Sequence, residues 1–157
     1  MKQTLIICCL LFFSSCAKTV PTATQQSRID YVRNGKVNFI TSSKGLFTVS
    51  SENTAETMNQ AVYFAEINAL ENILFRGIQG SSQENPMISD EMTAKRENPA
   101  ALRSLISENG YHIFVTESEV IEKFKGSPIT VIQRVTFDIP ALRKYLEKNN
   151  IIRKFGL

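Results

Sequence analysis

The chain has 157 residues, of which 43% are hydrophobic and 21% are charged. This length and composition are typical of one globular domain. Eighteen basic residues stand against 15 acidic ones, so the net charge is only +3. Such a nearly balanced charge argues against nucleic acid as a partner, because phosphate-binding surfaces need a large excess of basic residues.

The amino-terminal segment has the pattern of a bacterial lipoprotein signal peptide. Lys2 supplies a positive charge, residues 5–13 are an unbroken apolar run, and Ser14 and Ser15 precede Cys16. The run falls within the roughly 7–15 apolar residues of a signal peptide and short of the roughly 20 that span a bilayer. We therefore expect residues 1–15 to be a signal peptide, removed before a lipidated cysteine. An ordinary secretory signal and a buried amino-terminal helix are the alternatives.

Lipidation would account for all three cysteines of the chain. Cys8 and Cys9 would leave with the signal peptide and Cys16 would be acylated, so the mature chain would have no thiol for a disulfide, catalysis or zinc. Acyl chains such as palmitate contribute about 0.8 kcal/mol of membrane affinity per buried methylene. Ala17 follows the cysteine. By resemblance to the sorting rule of Gram-negative lipoproteins, that residue favours the outer membrane. No acidic pair like the surface-export signal of some lipoproteins follows the cysteine, so we expect the protein to face the periplasm.

The remaining chain divides into a tether and a domain. Residues 16–28 are polar, rich in Thr and Gln, and include Pro21. They are predicted to form a flexible tether. Residues 29–157 show no repeat and no second change of composition, so they are predicted to form a single α/β domain.

The first half of this domain predicts two strands and a helix. β-favouring residues in 37–50 surround a Ser-Ser-Lys-Gly turn at residues 42–45, which indicates a hairpin. Apolar residues then recur at spacings of three and four between Met58 and Leu74, as on one face of a helix. This helix is predicted to begin after an N-cap at Asn53 or Thr54 and to end at Gly77.

The second half predicts two helices and two strands. Asn98-Pro99 has the form of an N-cap and first helical residue, and Asp138-Ile-Pro140 starts a second helix in the same way. The predicted elements are a helix at 99–109, a strand at 111–116, a charged turn or strand extension at 117–126, a strand at 129–137 and a helix at 138–149.

The predicted order is β-β-α-α-β-β-α. Helices need a sheet face to cover, and an antiparallel sheet needs one covered face. The expected fold is therefore α/β of the α+β kind, a two-layer sandwich in which helices cover a mainly antiparallel sheet. The final residues are expected either to add a short strand or to pack Ile151, Ile152 and Phe155 on the core.

Residues that could carry chemistry are sparse. His112 is the only histidine, in a predicted strand, and no partner for general-base catalysis can be assigned to it. The carboxylates of the chain show no calcium-loop spacing. Glu117, Glu119 and Glu122 are neighbours, but nothing pairs them for glycoside chemistry. The glycine segment at 77–82 lacks the Gly-Lys-Ser/Thr ending of a phosphate loop. We expect no enzyme, no cofactor and no metal.

The loop from Gly77 to Asn98 is the candidate contact surface, because recognition residues often lie on loops that a rigid scaffold holds. At about 20 residues it exceeds the usual connection length. A plain connection is the alternative. The candidate partner-contact residues are Arg76, Gly77, Gln79, Gly80 and Ser81.

One segment carries a family resemblance. The run AVYFAEINALENILFRGIQG at residues 61–80 is an alanine-rich helix ending in Ala-Leu-x-x-Ile-Leu before a glycine loop. It resembles the flagellum-associated small lipoproteins and the amino-terminal domain of flagellar assembly protein T, and the strand at 130–137 and helix at 142–148 follow in a similar order. The Leu-Phe-Arg-Gly-Ile and Arg-Lys-Phe-Gly segments are more similar to a group of small lipoproteins, some of which are associated with envelope-spanning secretion machines. The resemblance covers roughly residues 50–149 and implies an envelope scaffold, not an enzyme.

The expected function is that of a non-enzymatic, membrane-anchored accessory or scaffold lipoprotein of a cell-envelope assembly, such as a secretion or motility apparatus. The lipid on Cys16 would attach it to the membrane, and its domain would bind an envelope protein. The alternative is a periplasmic binding module for a small ligand or envelope polymer, which a deep apolar pocket would favour. An enzyme is the third possibility, and buried carboxylates around His112 would indicate one.

Overall fold

The computed structural model describes Tyr31, Arg33 and residues 35–154. The predicted signal peptide, Cys16, the tether and Phe155 lie outside the described residues.

The described strands form one antiparallel sheet. The strands are β1 (Val37–Ser43), β2 (Leu46–Ala55), β3 (Val115–Phe124) and β4 (Ile129–Asp138). Their order across the sheet is β1-β2-β4-β3, with each neighbouring pair antiparallel. The two central strands, β2 and β4, are therefore each paired on both sides, and β1 and β3 are the edges.

The helices follow the strands in two groups. α1 (Met58–Glu71) continues into a π-helical turn (Asn72–Arg76), and α2 (Glu91–Glu97), α3 (Pro99–Ile106) and a 3-10 turn (Gly110–Phe114) come before β3. The last helix, α4 (Ile139–Lys148), follows β4 directly. The predicted α+β class, an antiparallel sheet with helices, is confirmed.

The core lies where α1 crosses the central strands. Alternate residues of β2 and β4 are buried beneath the helices, including Val49 and Val135, as period-2 patterning requires. Ala61 and Ala65 are fully buried and share a cluster with Val131. Their small side chains let α1 lie close to the sheet.

A buried asparagine fixes how α1 lies against β2. The Asn68 side chain is inaccessible to solvent, and its Nδ2 donates to the carbonyl of Gly35 at 2.9 Å and to Ser51 Oγ at 3.2 Å. A Cβ at Gly35 would lie 1.9 Å from the carbonyl oxygen of Glu52. Only glycine therefore allows the chain to pass this close to β2.

Several local predictions from the sequence are confirmed. The β1–β2 hairpin turns at Lys44 and Gly45, whose φ angles of 51° and 84° fit a tight two-residue turn. Gly77 ends the first helical segment with φ of 78°. Pro99 lies in the first turn of α3, and Asp138 caps α4 by accepting from the amide of Ala141 at 2.9 Å.

Two predicted element boundaries are wrong. β2 runs on through Asn53 and Thr54 to Ala55, and the N-cap of α1 is Thr57, whose side chain accepts from the amide of Gln60. The strand forms further because Asn53 is itself on the buried face of β2. Its side chain donates to the carbonyl of Phe64.

The strand predicted at residues 111–116 is also wrong in its first part. Residues Gly110–Phe114 form a 3-10 turn, and β3 begins only at Val115. Tyr111 and Phe114 are both buried while His112 is exposed. A spacing of three between buried residues suits a 3-10 turn and not the alternation of a strand. The charged segment after residue 116 is strand, which was one of the two predicted forms.

The region predicted as one long loop contains a short additional helix, α2. Asp90 caps it by accepting from the amide of Thr93 at 2.9 Å, and Ala94 is its buried residue. Because α2 is otherwise polar, hydrophobic periodicity could not indicate it.

Candidate functional site

The predicted contact residues lie at the end of the π turn and in the tight loop after it. Arg76 is exposed, and its Nη1 donates to the carbonyl of Arg33 at 3.0 Å. Gln79 and Gly80 are exposed, and nothing lies within 4 Å of the position that a Cβ at Gly80 would take. Gly77 packs against the backbone of Glu84.

The same loop is closed by its own hydrogen bonds. Ser81 Oγ donates to the carbonyl of Ile78 at 2.6 Å and accepts from the amide of Gln83 at 3.0 Å. The amide of Ile78 donates to the carbonyl of Gln83, and the Ile78 side chain is buried. Ser81 therefore shapes the loop, and Gln79 and Gly80 are left as its outer surface. A partner contact here stays a prediction.

A buried carboxylate, Glu66, links α1 to β3 and β4. The residue is 6% exposed. Its Oε1 accepts from Ser118 Oγ at 2.5 Å and from Gln133 Nε2 at 2.9 Å, and its Oε2 accepts from the Tyr111 hydroxyl at 2.8 Å. Gln133 Nε2 also donates to Ser118 Oγ. Hydrogen bonds to an ionised acceptor are stronger than neutral ones, so Glu66 fastens both strands and the 3-10 turn to the helix.

The environment of Glu66 perturbs Tyr111. Burial, together with the hydrogen bond to Glu66 and its negative charge, raises the pKa of the Tyr111 hydroxyl far above its usual range. The Tyr111 and His112 rings stack with centroids 4.3 Å apart. His112 Nε2 lies 3.9 Å from Glu66 Oε2, and the histidine side chain is 53% exposed.

The Glu66 cluster has the chemistry of a structural network. Both carboxylate oxygens of Glu66 accept hydrogen bonds, and the donors come from the 3-10 turn, β3 and β4. Gln133 Oε1 is a buried acceptor with no hydrogen-bond partner among the described residues. Within the described part of the chain, Glu66 is a buried carboxylate that lies close to His112.

A second buried carboxylate, Glu71, holds the amino-terminal segment. It is 4% exposed, and it accepts from the Tyr31 hydroxyl at 2.7 Å and pairs with Arg33. Arg33 also donates to Glu91 at 2.6 Å, and Glu91 pairs with Lys95 at 2.5 Å within α2. This chain of charges joins the segment before β1 to both α1 and α2.

The pKa values in this network follow from its geometry. Burial, with the adjacent Glu71 carboxylate, raises the pKa of the Tyr31 hydroxyl far above its usual range. Partial burial works against ionisation of Glu91, but hydrogen bonds from Lys95 and Arg33 outweigh it and lower the pKa of that carboxyl. At neutral pH the Glu91 carboxyl is therefore ionised, and the Tyr31 hydroxyl keeps its proton.

An open cleft of about 430 Å³ lies beside Glu71, between α1 and α3. This volume lies within the roughly 300–1,000 Å³ of small-molecule sites. Ile67, Leu102 and Ile106 provide its apolar surface. The polar and aromatic residues around it are Tyr31, Arg33, Tyr63, Glu71, Lys95 and Arg103.

The edge strand β3 is the most exposed element of the sheet. Every residue from 116 to 124 is exposed, including Val120 and Ile121 at 38% and Phe124 at 52%. Its pairing with β4 shifts register between Val115 and Glu117 and again between Val120 and Glu122. The opposite edge of β3 has no strand partner among the described residues.

The described residues contain no group of three or more His, Cys, Asp or Glu side chains that could hold a metal ion. Within the same part of the chain, no helix combines the length and the apolar character needed to cross a bilayer.

Comparison of the chain with protein-family models, with curated proteins and with solved structures finds no match in any of the three.

Sequence reasoning missed the two buried acids, Glu66 and Glu71. Glu66 lies between Ala65 and Ile67, and Glu71 follows Leu70. Acids in a helix are normally assigned to its solvent face. The sequence did contain a signal of this burial. Ile67 and Tyr63 are apolar, and both lie on a different side of the helix from its alanines. Apolar residues on two faces indicate a helix packed on two sides, so that its polar residues have to be buried as well.

Proposed function

We propose that this protein is a membrane-anchored accessory lipoprotein that binds a protein of a cell-envelope assembly, such as a secretion or motility apparatus. The signal-peptide pattern before Cys16 supports the anchor, at the periplasmic face of the outer membrane. The single observation that carries the binding role is the exposure of β3 along its length.

An exposed edge strand presents unpaired backbone N–H and C=O groups, which another extended segment can pair with. Natural proteins often blunt such edges with charges, and β3 has Glu117, Glu119, Glu122 and Lys123. It nevertheless keeps three exposed apolar side chains, which contribute little to the core. The combination of these apolar side chains with the four charges favours pairing with a specific extended segment over self-aggregation.

The anchor is tested by replacing Cys16 with Ser. We expect the wild type to incorporate a clickable palmitate analogue and to fractionate with the outer membrane. The Cys16→Ser variant should lose the label and leave the membrane fraction. Unchanged fractionation with no label in the wild type would refute the anchor.

The binding role is tested by placing a photo-crosslinking amino acid at Ile121 in the tethered protein in cells. The matched control is Met92, which is apolar and 78% exposed but lies on α2. We expect a discrete crosslink to one envelope protein from Ile121 and none of that size from Met92. A crosslink pattern identical at both positions, or no crosslink at Ile121, would contradict the role of β3.

A further inference from the structure

The cleft between α1 and α3 has an apolar floor. Ile67 and Leu102 are each 3% exposed, and Ile106 is half-buried at the edge. The Tyr31 hydroxyl is already used by Glu71. A ligand lying in this cleft would therefore meet mainly the hydrocarbon of the floor, together with the tyrosines Tyr31 and Tyr63.

The charges around the floor do not cancel. The lining contains three cations, Arg33, Lys95 and Arg103, and one anion, Glu71, which sums to +2. Glu91, which pairs with Arg33 and Lys95, lowers the local sum to +1. The unbalanced charge belongs to Arg103, whose side chain makes no hydrogen bond or ion pair within the described part of the chain.

We propose that this cleft is a binding site for a small amphipathic carboxylate, a molecule with one carboxyl group on an aliphatic body, such as a medium-chain fatty acid. The aliphatic body lies on Ile67, Leu102 and Ile106, and the carboxylate pairs with the guanidinium of Arg103. Planar guanidinium groups bind carboxylates through two parallel hydrogen bonds. This site is separate from β3 and does not depend on the proposed binding of an envelope protein.

A cationic ligand fits the cleft less well, although aromatic rings and a carboxylate line it. Arg33 neutralises Glu71, and the Tyr31 hydroxyl occupies its second oxygen. A cation would also meet the charge of Arg103 at close range. Charge complementarity therefore selects an anion.

The test is equilibrium binding of radiolabelled octanoate to the full chain in lipid nanodiscs, with empty nanodiscs as the blank. Octan-1-ol and octyltrimethylammonium serve as competitors with the same chain and different charge. We expect saturable binding of octanoate, weak competition by octanol and none by the cation. Arg103→Gln should weaken octanoate binding by about tenfold or more, the usual effect of losing a hydrogen bond to a charged group.

The matched control is Arg143→Gln, on α4, which lines a different cleft. It should leave octanoate affinity unchanged. Ile106→Ala should weaken both octanoate and octanol, because it removes part of the floor. The proposal is overturned if octanoate does not bind above the blank, if octanol competes as well as unlabelled octanoate, or if the two arginine variants behave alike.

Discussion

Removing one hydroxyl, that of Tyr111, should destabilise the domain measurably. Tyr111 is fully buried and donates to Glu66 Oε2 at 2.8 Å. Tyr111→Phe keeps the ring and leaves no cavity, so the loss is confined to a hydrogen bond with a buried carboxylate. Such bonds contribute roughly 1.5–3 kcal/mol, and we expect the free energy of unfolding to fall by about 2 kcal/mol. The melting temperature should fall by about 6–8 °C.

The control for this variant is Tyr145→Phe. The Tyr145 hydroxyl is partly buried and donates to a neutral acceptor, the carbonyl of Ala101, at 3.2 Å. Its loss should cost only about 0.5–1 kcal/mol. Urea unfolding followed by circular dichroism measures both variants. Equal losses in the two, or a loss below about 0.5 kcal/mol for Tyr111→Phe, would show that Glu66 does not hold the 3-10 turn.

Burial of the Tyr111 hydroxyl, together with its hydrogen bond to Glu66, makes the stability of the domain depend on alkaline pH. The pKa of Tyr111 is raised in the folded state, so above the ordinary tyrosine pKa of about 10 the unfolded chain loses this proton while the folded chain keeps it. The contribution of Tyr111 to the free energy of unfolding is therefore complete below a pH of about 10 and is lost as the pH rises further. Tyr31 acts in the same direction. Tyr111→Phe should reduce the steepness of the loss in urea titrations above that pH, and an unchanged slope would contradict the assignment.

Three further variants test the local structure. Gly77→Ala should lower the free energy of unfolding by more than about 1 kcal/mol. The φ angle at this position is 78°, and the new Cβ would lie 1.9 Å from the carbonyl oxygen of Glu84. An unchanged free energy of unfolding would show that this loop rearranges freely. Asp138→Ala removes the cap on the amide of Ala141 and should cost about 1 kcal/mol in urea unfolding, whereas Asp138→Asn should recover most of it. Ile113→Ser, at a side chain that is 77% exposed, should change the melting temperature by less than about 2 °C, and a larger drop would place Ile113 in the core.

The parts of the fold that could be predicted are those in which a local residue pattern favours a single local structure. The alternation in β4 predicts a strand with one buried face, and Asp138 followed by Pro140 predicts the start of α4. Gly77 predicts a helix end because its left-handed φ favours glycine. Each of these signals acts within a few residues of its own position.

The parts that could not be predicted depend on contacts between distant segments. β3 has exposed side chains on both faces, so no alternation indicates it, and its strand form is imposed by pairing with β4. α2 is held by its cap and by the pairing of Glu91 with Arg33, which lies 58 residues earlier in the chain. The burial of Glu66 likewise depends on Tyr111 and Ser118, which a reading of α1 alone does not place nearby.

The two buried acids of α1 also separate the two proposed binding surfaces. Glu66 and Glu71 are five residues apart, which is about 140° around a helix, so one faces β3 and β4 and the other faces the cleft. None of the residues that line the cleft belongs to β3 or β4. The cleft and β3 share no lining residue, so substitutions in the cleft and in β3 should act independently on ligand binding and on partner binding. Arg103→Gln should weaken octanoate binding and leave the crosslink from Ile121 intact, whereas loss of both together would mean that α1 itself shifts when the cleft is changed.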